Sequence, residues 1–277
     1  MAMRLIDVEH LGNPRVIGCW EVDGVLIDPG PTSSLETLIA RLEGEPRALL
    51  LTHIHLDHAG AAGTMVRRWP ELEVYVHERG APHLADPTKL LASAARLYGD
   101  EMERLWGEVA PVPEANLRPL AGGESVLGFE VASTPGHASH HVSYLHAGSG
   151  RAFVGDTAAV RIPPAGYVLP PTPPPDIDLE AWNRSLDAIL DWSPTSLALT
   201  HFDAVEDPAP HIELVRQRLR EQAERARTMN AAEFERTLRD EVEARVGPEA
   251  HGALLQAVPP EQQWAGLHRY LERRAGG

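Results

Sequence analysis

The sequence predicts a mixed α/β fold followed by a helical C-terminal extension. Short apolar segments alternate with helical ones up to about residue 205, and turn residues separate them. Beyond Asp207 the chain is rich in Glu, Arg, Ala and Leu and has no internal repeat. We therefore expect two regions, a main domain over residues 1–205 and a helical region over residues 206–277.

In the first eighty residues, predicted strands alternate with helices. Asp23-Gly24 is a hairpin turn signal between two strands, and Ser33 or Ser34 is suited to cap the first helix. Pro70 ends the second helix. Strands are predicted over residues 4–8, 16–22, 25–27, 47–52 and 73–77, and helices over residues 35–42 and 59–69.

The remaining chain continues with strands, a proline-rich loop and several helices. Residues 78–109 have a helical pattern that prolines and Gly99 break, and residues 162–175 are rich enough in proline to form a rigid, extended loop. Asp176 or Asp178 is suited to cap the helix after that loop. Strands are predicted over residues 124–133, 142–146, 152–155 and 195–199, and helices over residues 179–191, 210–227, 231–246 and 261–274.

Composition limits the partners and the compartment. The formal net charge is −15, and an acidic surface repels phosphate backbones and anionic lipids, so we expect neither a nucleic-acid nor a membrane partner. Cys19 is the only cysteine, which excludes an intramolecular disulfide and a thiolate-rich metal site. No apolar run reaches the roughly 18–20 residues of a membrane span, and the first ten residues lack an apolar signal core. We expect a cytoplasmic protein that acts on a small molecule. Its oligomeric state is left open between a monomer and a homodimer.

The most informative feature is a histidine cluster directly after the fourth predicted strand. It reads His-Ile-His-Leu-Asp-His from His53 to His58. On a strand, alternate side chains share a face, so His53, His55 and Asp57 are expected to point the same way, with His58 joining from the next helix. Three imidazoles and a carboxylate suit Zn²⁺, Fe²⁺ or Mn²⁺. A solvated polar loop is the alternative, but apolar residues lead straight into the cluster.

Three later strands end in further polar residues. They are followed by Thr-Pro-Gly-His137, by Gly-Asp156-Thr and by Thr-His201. Each short pattern is weak by itself. Together with the cluster they put a His or Asp at the end of four strands, and in α/β sheets the carboxyl ends of strands form the ligand crevice. We therefore expect His137, Asp156 and His201 to complete a metal site.

The order and spacing of these residues resemble the metallo-β-lactamase-fold hydrolase superfamily over about residues 1–205. The resemblance implies a four-layer αββα sandwich with two divalent metal ions at one edge of the paired sheets. Zn²⁺ is the expected metal, with Fe or Mn as alternatives. It further implies that one ion is held by His53, His55 and His137, the other by Asp57, His58 and His201, and that Asp156 bridges both.

The expected chemistry is hydrolysis by a water activated between the two ions. A shared carboxylate and a bridging hydroxide offset the repulsion between ions about 3.5–4 Å apart, and metal binding can lower the pKa of water to about 7. That hydroxide would attack a carbonyl. Asp57 is the expected catalytic residue, because it would lie beside the hydroxide and could accept or relay its proton. Tyr167 is a weak candidate for the leaving-group acid, and packing against prolines is its alternative role.

Comparison within the superfamily narrows the substrate. Glyoxalase II-like thioesterases share the ligand set, but a Gly-Cys-Gly-Arg-like segment follows their bridging Asp. Here Thr-Ala-Ala-Val-Arg161 follows Asp156, so we do not expect glutathione specificity. An ester, thioester or lactone hydrolase is expected, with a lid from residues 78–112 and the C-terminal helices. The apolar part of the proline-rich loop is either an acyl-binding surface or a brace. The alternatives are an iron-dependent, dioxygenase-like redox enzyme, a phosphodiesterase on the same fold, and a non-catalytic binding protein.

The other candidate residues carry less weight. His141 either orients a ligand or is a partly exposed strand residue, and Asp203 either orients His201 or is solvated. Cys19 is expected to be a small buried hydrophobe. His77 and His83 flank a helix start, and neither is assigned to the site. Surface positions are expected for His10, His146, His211, His251 and His268.

Overall fold

The computed structural model describes residues 3–275, and its first sheet has six strands. In spatial order they are β1 (Met3–Asp7), β2 (Gly18–Val22), β3 (Val25–Ile27), β4 (Ala48–Leu50), β5 (Glu73–His77) and β6 (Leu117–Leu120). β1 to β3 pair antiparallel, and β3 to β6 pair parallel. Asp23 and Gly24 form the β2–β3 turn with φ of 47° and 80°, the positive angles that hairpins of two-residue loops require.

The second sheet also has six strands, and a separate hairpin lies beside it. In chain order the strands are β7 (Ser125–Val126), β8 (Phe129–Ser133), β9 (Val142–His146), β10 (Arg151–Phe153), β11 (Val160–Arg161), β12 (Val168–Leu169), β13 (Ser196–Leu199) and β14 (Asp203–Val205). The sheet order is β14-β13-β10-β9-β8-β7, and β11 pairs with β12 in the hairpin. Only the β10–β13 pair in this sheet is parallel.

Helices lie on the outer faces of the sheets and continue into the C-terminal region. They are α1 (Leu35–Arg41), α2 (Leu56–Ala59), α3 (Ala62–Arg68), α4 (Ala81–Ala85), α5 (Thr88–Tyr98), α6 (Met102–Trp106), α7 (Leu179–Asp191), α8 (Pro208–Thr228), α9 (Ala231–Arg245), α10 (Pro248–Ala257) and α11 (Pro260–Ala275). Asp178 caps α7, since its side chain accepts hydrogen bonds from the backbone N–H groups of Glu180 and Ala181.

The two sheets pack face to face because their strands alternate between two apolar surfaces. Leu50 of β4 faces inward with Phe129, Tyr144 and Phe153 of the second sheet. The preceding residue, Leu49, points to the other side and joins the cluster that the helices cover. Burial of both sheet faces gives four layers in the order α, β, β, α.

The C-terminal helices pack on the sandwich rather than standing apart from it. Ile212 and Val215 of α8 are fully buried in the same apolar cluster as Trp182 of α7. Gly266 of α11 lies so close to the proline-rich segment that a Cβ atom there would be 2.0 Å from the carbonyl oxygen of Thr172. The last helix therefore covers the loop that leads away from the predicted metal site. The division into two domains at residue 205 stays a prediction.

The predicted fold class, an αββα sandwich with a helical C-terminal extension, is confirmed. The helix predicted over residues 59–69 corresponds to α3, but it begins later, at Ala62, because the short helix α2 ends at Ala59. Gly60 between them is required for space, since a Cβ there would meet the carbonyl oxygen of Leu56 at 2.4 Å. The proline-rich segment is not wholly an extended loop, since Val168 and Leu169 pair with β11. β6, β14 and α10 were not predicted.

Candidate metal centre

Four of the seven predicted site residues meet at the ends of β4, β8 and β10. His53 and His55 follow β4, His137 lies in the loop after β8, and Asp156 lies in a 3-10 turn after β10. Nδ1 of His55 is 3.0 Å from Nε2 of His53 and 2.9 Å from Nε2 of His137. Oδ2 of Asp156 is 3.2 Å from Nε2 of His137. We call these residues group A.

The other three residues form a second group beside the first. Asp57 and His58 lie on α2, and His201 follows β13. Nε2 of His201 is 3.3 Å from Nε2 of His58 and 3.4 Å from Oδ2 of Asp57. We call these residues group B. The expectation that Asp57 shares a strand face with His53 is wrong, since the chain turns into α2 at Leu56 and carries Asp57 to the other group.

Asp156 links the two groups through its two carboxylate oxygens. Oδ2 faces group A, while Oδ1 lies 3.3 Å from Nε2 of His58 and 3.5 Å from Nε2 of His201 in group B. Oδ1 is buried and has no hydrogen-bond partner within residues 3–275. A buried carboxylate oxygen without a partner is costly unless a cation or a donor satisfies it. Its position between the groups is suited to bridging two cations.

For His137 and His201, a hydrogen bond on the far side of the ring determines which nitrogen carries the proton. Nδ1 of His137 donates to the carbonyl of Pro171 at 2.9 Å, and Nδ1 of His201 donates to the carbonyl of Val16 at 2.6 Å. With Nδ1 protonated, the inner Nε2 of a neutral ring presents a lone pair. Several lone pairs and carboxylate oxygens then converge within 4.8 Å in each group. This donor set fits a divalent metal ion in each group.

Asp28 organises the centre, and the sequence analysis missed it. Oδ2 accepts hydrogen bonds from Nδ1 of His58 at 2.8 Å, from Oγ1 of Thr52 at 2.7 Å and from Oγ1 of Thr200 at 2.9 Å. Because the Thr52 hydroxyl donates to Asp28, its oxygen is left to accept from Nδ1 of His53 at 3.1 Å. Asp28 is fully buried and thereby orients a histidine in each group. Asp28 directly follows β3, just as the predicted ligands follow their strands.

Burial and neighbouring charges shift the pKa values of the two groups in opposite directions. Burial, reinforced by the other histidines, lowers the pKa of His53 well below its usual value and that of His55 to about 4. Burial also opposes the charged form of His58, but Asp156, Asp57 and Asp28 outweigh it and raise its pKa. The imidazoles of His53 and His55 in group A are therefore neutral. In group B the carboxylates stabilise the protonated, cationic form of His58.

Both carboxylates of the centre stay ionised. Burial would raise the pKa of Asp57, yet His58 and His201 hold it well below its usual range. The same balance of burial against His58, His137 and His201 lowers the pKa of Asp156. Ionised carboxylates are the form that binds a metal ion, whereas the raised pKa values of His58 and His201 mean that a metal ion bound in group B would displace protons from these imidazoles.

Several other histidines lie elsewhere than expected. His141 is fully buried, its ring stacks on that of His53 at 5.0 Å, and its Nδ1 is 2.9 Å from Oγ1 of Thr134. These contacts favour the orienting role and exclude the partly exposed one. Surface positions were wrong for His10, His146 and His211, all of which are buried.

The structure argues against the functional alternative for two further side chains, Tyr167 and Asp203. Tyr167, the candidate acid, is buried under the guanidinium of Arg218 at 4.9 Å and does not line the cavity above the centre. Asp203 is exposed and accepts from the N–H of Ala204, so it does not orient His201. Cys19 is a buried, free cysteine as expected.

A cavity of about 600 Å³ opens above the centre. Its floor is formed by His55, Asp57, His137, Asp156 and His201, which come from both groups. The residues predicted to form a lid lie beside this cavity: α5, α6 and α11 form its walls together with the proline-rich segment. Arg161, the remaining candidate for a glutathione carboxylate, does not line this cavity. The volume suits a small organic substrate.

Fold and site together define a metallo-β-lactamase-type protein, and comparison with known proteins agrees. The model of the metallo-beta-lactamase superfamily matches residues 21–201. The chain belongs to this superfamily.

The chain also resembles hydroxyacylglutathione hydrolases. One from Xylella fastidiosa is 30% identical over 158 residues, which are 56% of this chain and 49% of the relative. Another from Legionella pneumophila is 29% identical over 144 residues, which are 50% of this chain and 44% of the relative. The matched region thus spans about half the length of these relatives.

Solved structures share the fold over nearly the whole chain. An archaeal metallo-beta-lactamase superfamily protein from Sulfolobus tokodaii has a TM-score of 0.74 at 23% identity and covers 96% of this chain and 98% of its own. A metallo-beta-lactamase family protein from Thermus thermophilus has a TM-score of 0.69 at 23% identity, and the match covers 99% of this chain and 94% of that protein. A third protein, solved in a di-iron-bound form, has a TM-score of 0.52 at 29% identity, covering 69% and 89%. Within residues 3–275, no helix combines the length and apolar character needed to cross a membrane.

Proposed function

We propose that this protein is a binuclear metal-dependent hydrolase of ester, thioester or lactone bonds. The observation that carries the proposal is the Asp156 carboxylate, whose two oxygens lie 3.2 Å from His137 and 3.3 Å from His58. In the proposal His53, His55 and His137 hold one ion, Asp57, His58 and His201 hold the other, and Asp156 bridges them. The resemblance to hydroxyacylglutathione hydrolases supports acyl transfer to water.

Two divalent ions, with zinc as the proposed metal, would supply an activated water and an electrophile for the substrate carbonyl. The chain's own residues do the rest. Asp57 is proposed to accept the proton that the attacking water gives up, because its side chain is 24% exposed, reaches the cavity and stays ionised. Asp156 is 5% exposed and lies between the two groups, so it is proposed to hold the centre instead of exchanging protons with substrate.

The walls of the cavity would orient the substrate over the centre. The ring of Tyr98 in α5 contacts that of Trp106 edge to face at 5.0 Å, and the ring of His10 stacks on that of Trp106 at 5.5 Å. This aromatic wall and the prolines of the loop offer an apolar surface for an acyl group. Water displaced from such a wall would strengthen the electrostatic interactions at the floor.

Asp57→Asn tests the proposed proton acceptor. The amide keeps the size of the side chain but cannot accept a proton, so we expect kcat on an active thioester or lactone to fall by about 10²–10⁴-fold. Metal content is measured on the same samples. If Asp57→Asn retains two ions and full activity, the assigned role is wrong.

A second experiment distinguishes the proposed hydrolase from the alternative, an iron-dependent redox enzyme. Protein purified without added metal is analysed for zinc, iron and manganese, and is then assayed on thioesters, lactones and phosphodiesters. Hydrolysis of an acyl probe supports the proposal. Bound iron with oxygen consumption and no acyl hydrolysis would contradict it, and turnover of the phosphodiester alone would assign the site to a phosphodiesterase.

A further inference from the structure

The rim of the cavity carries unpaired positive charge in a strongly acidic protein. Arg79 and Lys89 both line the cavity and both are exposed. Neither side chain forms a salt bridge within residues 3–275, although many arginines of the chain do, for example Arg118 with Glu73 at 2.7 Å. With a net charge of −15, carboxylates are abundant, so unpaired cations at a cavity mouth require an explanation.

Two of the acidic residues at the same rim are paired with arginines that do not line the cavity. Glu101 pairs with Arg104 at 2.5 Å, and Glu261 pairs with Arg239 at 3.1 Å. Asp176 keeps its charge and accepts a hydrogen bond from Oγ of Ser139 at 2.6 Å. None of these three carboxylates forms a salt bridge with Arg79 or Lys89 within residues 3–275, so both cations can bind an anionic group of a ligand.

One wall of the cavity is largely apolar, and it belongs to α5, the helix that also carries Lys89. The residues of α5 that line the cavity recur at helical spacing and thus form one face: Lys89, Leu90, Ser93, Ala94, Leu97 and Tyr98. From Lys89 to Tyr98 this face runs about 13 Å at 1.5 Å per residue. It begins with a cation and ends with an apolar and aromatic surface.

We infer that the substrate is amphipathic, an acyl ester or thioester with an apolar group at one end and an anionic group, carboxylate or phosphate, at the other. The apolar group would lie along Leu97, Tyr98 and Trp106, and the anionic group would bind Arg79 and Lys89. The scissile carbonyl would lie between them, over the floor. This inference rests on the proposed function, and it adds a substrate class that the metal centre alone does not define.

Matched thioesters test the inference. One pair shares an apolar benzoyl group and differs only in the leaving thiol, 3-mercaptopropionate or its neutral amide. A second pair shares a neutral thiol and differs in the acyl group, succinyl or its neutral amide. We expect kcat/KM to be about tenfold higher for the anionic member of at least one pair, and this ratio to fall as ionic strength rises. The pair with the larger ratio identifies the end that binds the rim, and replacing carboxylate by phosphate in that pair compares the two anions.

Variants that remove a positive charge test whether Arg79 and Lys89 cause the preference for anionic substrates. Arg79→Gln and Lys89→Gln should each reduce the anionic-to-neutral ratio by about three- to tenfold. Arg96→Gln is the matched control, because Arg96 is an exposed cation of the same helix that does not line the cavity, and it should keep the wild-type ratio. Equal kcat/KM within both pairs for the wild type, or an unchanged ratio in both rim variants, would overturn the inference.

Failure of the proposed function is distinguishable from failure of this inference. If no member of either pair is hydrolysed and ester and lactone probes are inert as well, the hydrolase proposal fails. The non-hydrolysable thioether analogues of both pairs are then measured by calorimetry on the metal-loaded protein. Tighter binding of an anionic thioether by wild type than by Arg79→Gln supports the anionic subsite independently of turnover, and equal binding in both pairs contradicts it.

Discussion

Oδ2 of Asp28 accepts a hydrogen bond from Nδ1 of His58 at 2.8 Å, and both side chains are fully buried. The bond leaves Nε2 of His58 directed at Asp156 and His201. Asp28 also accepts from the N–H and hydroxyl of Thr52, the residue before His53. One carboxylate at the end of β3 thus positions histidines of both groups.

Replacing Asp28 should loosen the centre without removing a proposed ligand. Asp28→Asn weakens the acceptor that orients His58, and we expect the affinity for the second metal ion to fall by about 10–100-fold. Competition with a fluorescent chelator measures this affinity. Asp203→Asn is the control, because Asp203 also lies close to His201 in sequence but has an exposed side chain that accepts a hydrogen bond from the N–H of Ala204. An unchanged affinity in Asp28→Asn would show that the bond does not position His58.

The last helix is connected to the centre through a short chain of contacts. Oε1 of Gln263 accepts from Oγ1 of Thr172 at 2.9 Å and also from its backbone N–H, while the preceding Pro171 accepts from His137. Gln263→Ala removes the acceptor of the buried N–H of Thr172, while the hydroxyl of Thr172 keeps the backbone carbonyl of residue 263 at 3.2 Å. We expect a loss of about 2 kcal/mol in the free energy of unfolding together with a lower kcat/KM. Gln217→Ala on the exposed side of α8 is the control. Thermal unfolding and kinetics of both variants measure the effect, and equal behaviour would contradict it.

Gly136 is required next to His137 for two physical reasons. Its φ is 143°, which disfavours other residues, and a Cβ there would lie 2.3 Å from Cα of Trp182. Gly136→Ala should destabilise the fold by about 3 kcal/mol or more and lower its metal content. Gly44→Ala, where a Cβ meets nothing within 4 Å, should leave both unchanged. Denaturant unfolding with metal analysis distinguishes them, and a Gly136→Ala protein as stable as the control would refute the argument.

The helical region should contribute stability that depends on pH through Glu241. Burial would raise the pKa of Glu241, but hydrogen bonds from Arg225 at 2.6 Å and Arg218 at 3.0 Å outweigh it and lower the pKa. A carboxyl with a lowered pKa stabilises the fold above its unfolded value of about 4.3, and this contribution is lost as the pH falls through the folded pKa.

Glu241→Gln should therefore lower the free energy of unfolding by about 2 kcal/mol at pH 7, and the difference from wild type should shrink below about pH 4. Denaturant unfolding from pH 3 to pH 7 measures this difference. Glu224→Gln removes an exposed pair with Arg227 and should have no measurable effect. A difference that is constant over the whole range would contradict the assignment.

Local pattern was sufficient for most of the fold, and it selected seven residues that the structure brings together in two groups. Strands such as Val142–His146 and the helix Leu179–Asp191 have the predicted bounds, because alternation and a capping Asp are local signals. β6 was missed because Arg118 and Pro119 interrupt its apolar pattern, although Leu117 and Leu120 are buried. α10 was missed because Gly252 lies within it.

The internal arrangement of the centre could not be predicted from local pattern. Asp57 and His55 are two residues apart yet belong to different groups, because α2 begins at Leu56 between them. Asp28 lies far along the chain from Thr200, and only the packed sheets bring the two together at 2.9 Å. Its position at the end of β3, like the ligands at the ends of their strands, was the one available signal. His10 stacks on Trp106 through contacts that no local pattern encodes.

The central claim is that Asp156 joins two metal ions in one hydrolytic centre. Its most direct test is the metal stoichiometry of wild type and Asp156→Asn after dialysis against limiting zinc, measured by mass spectrometry of the metals and paired with the hydrolysis rate of the preferred acyl probe. We predict two zinc ions per wild-type chain, at most one in Asp156→Asn, and a rate reduced by at least about 10²-fold in the variant. Two ions retained in Asp156→Asn at the wild-type rate would contradict the claim.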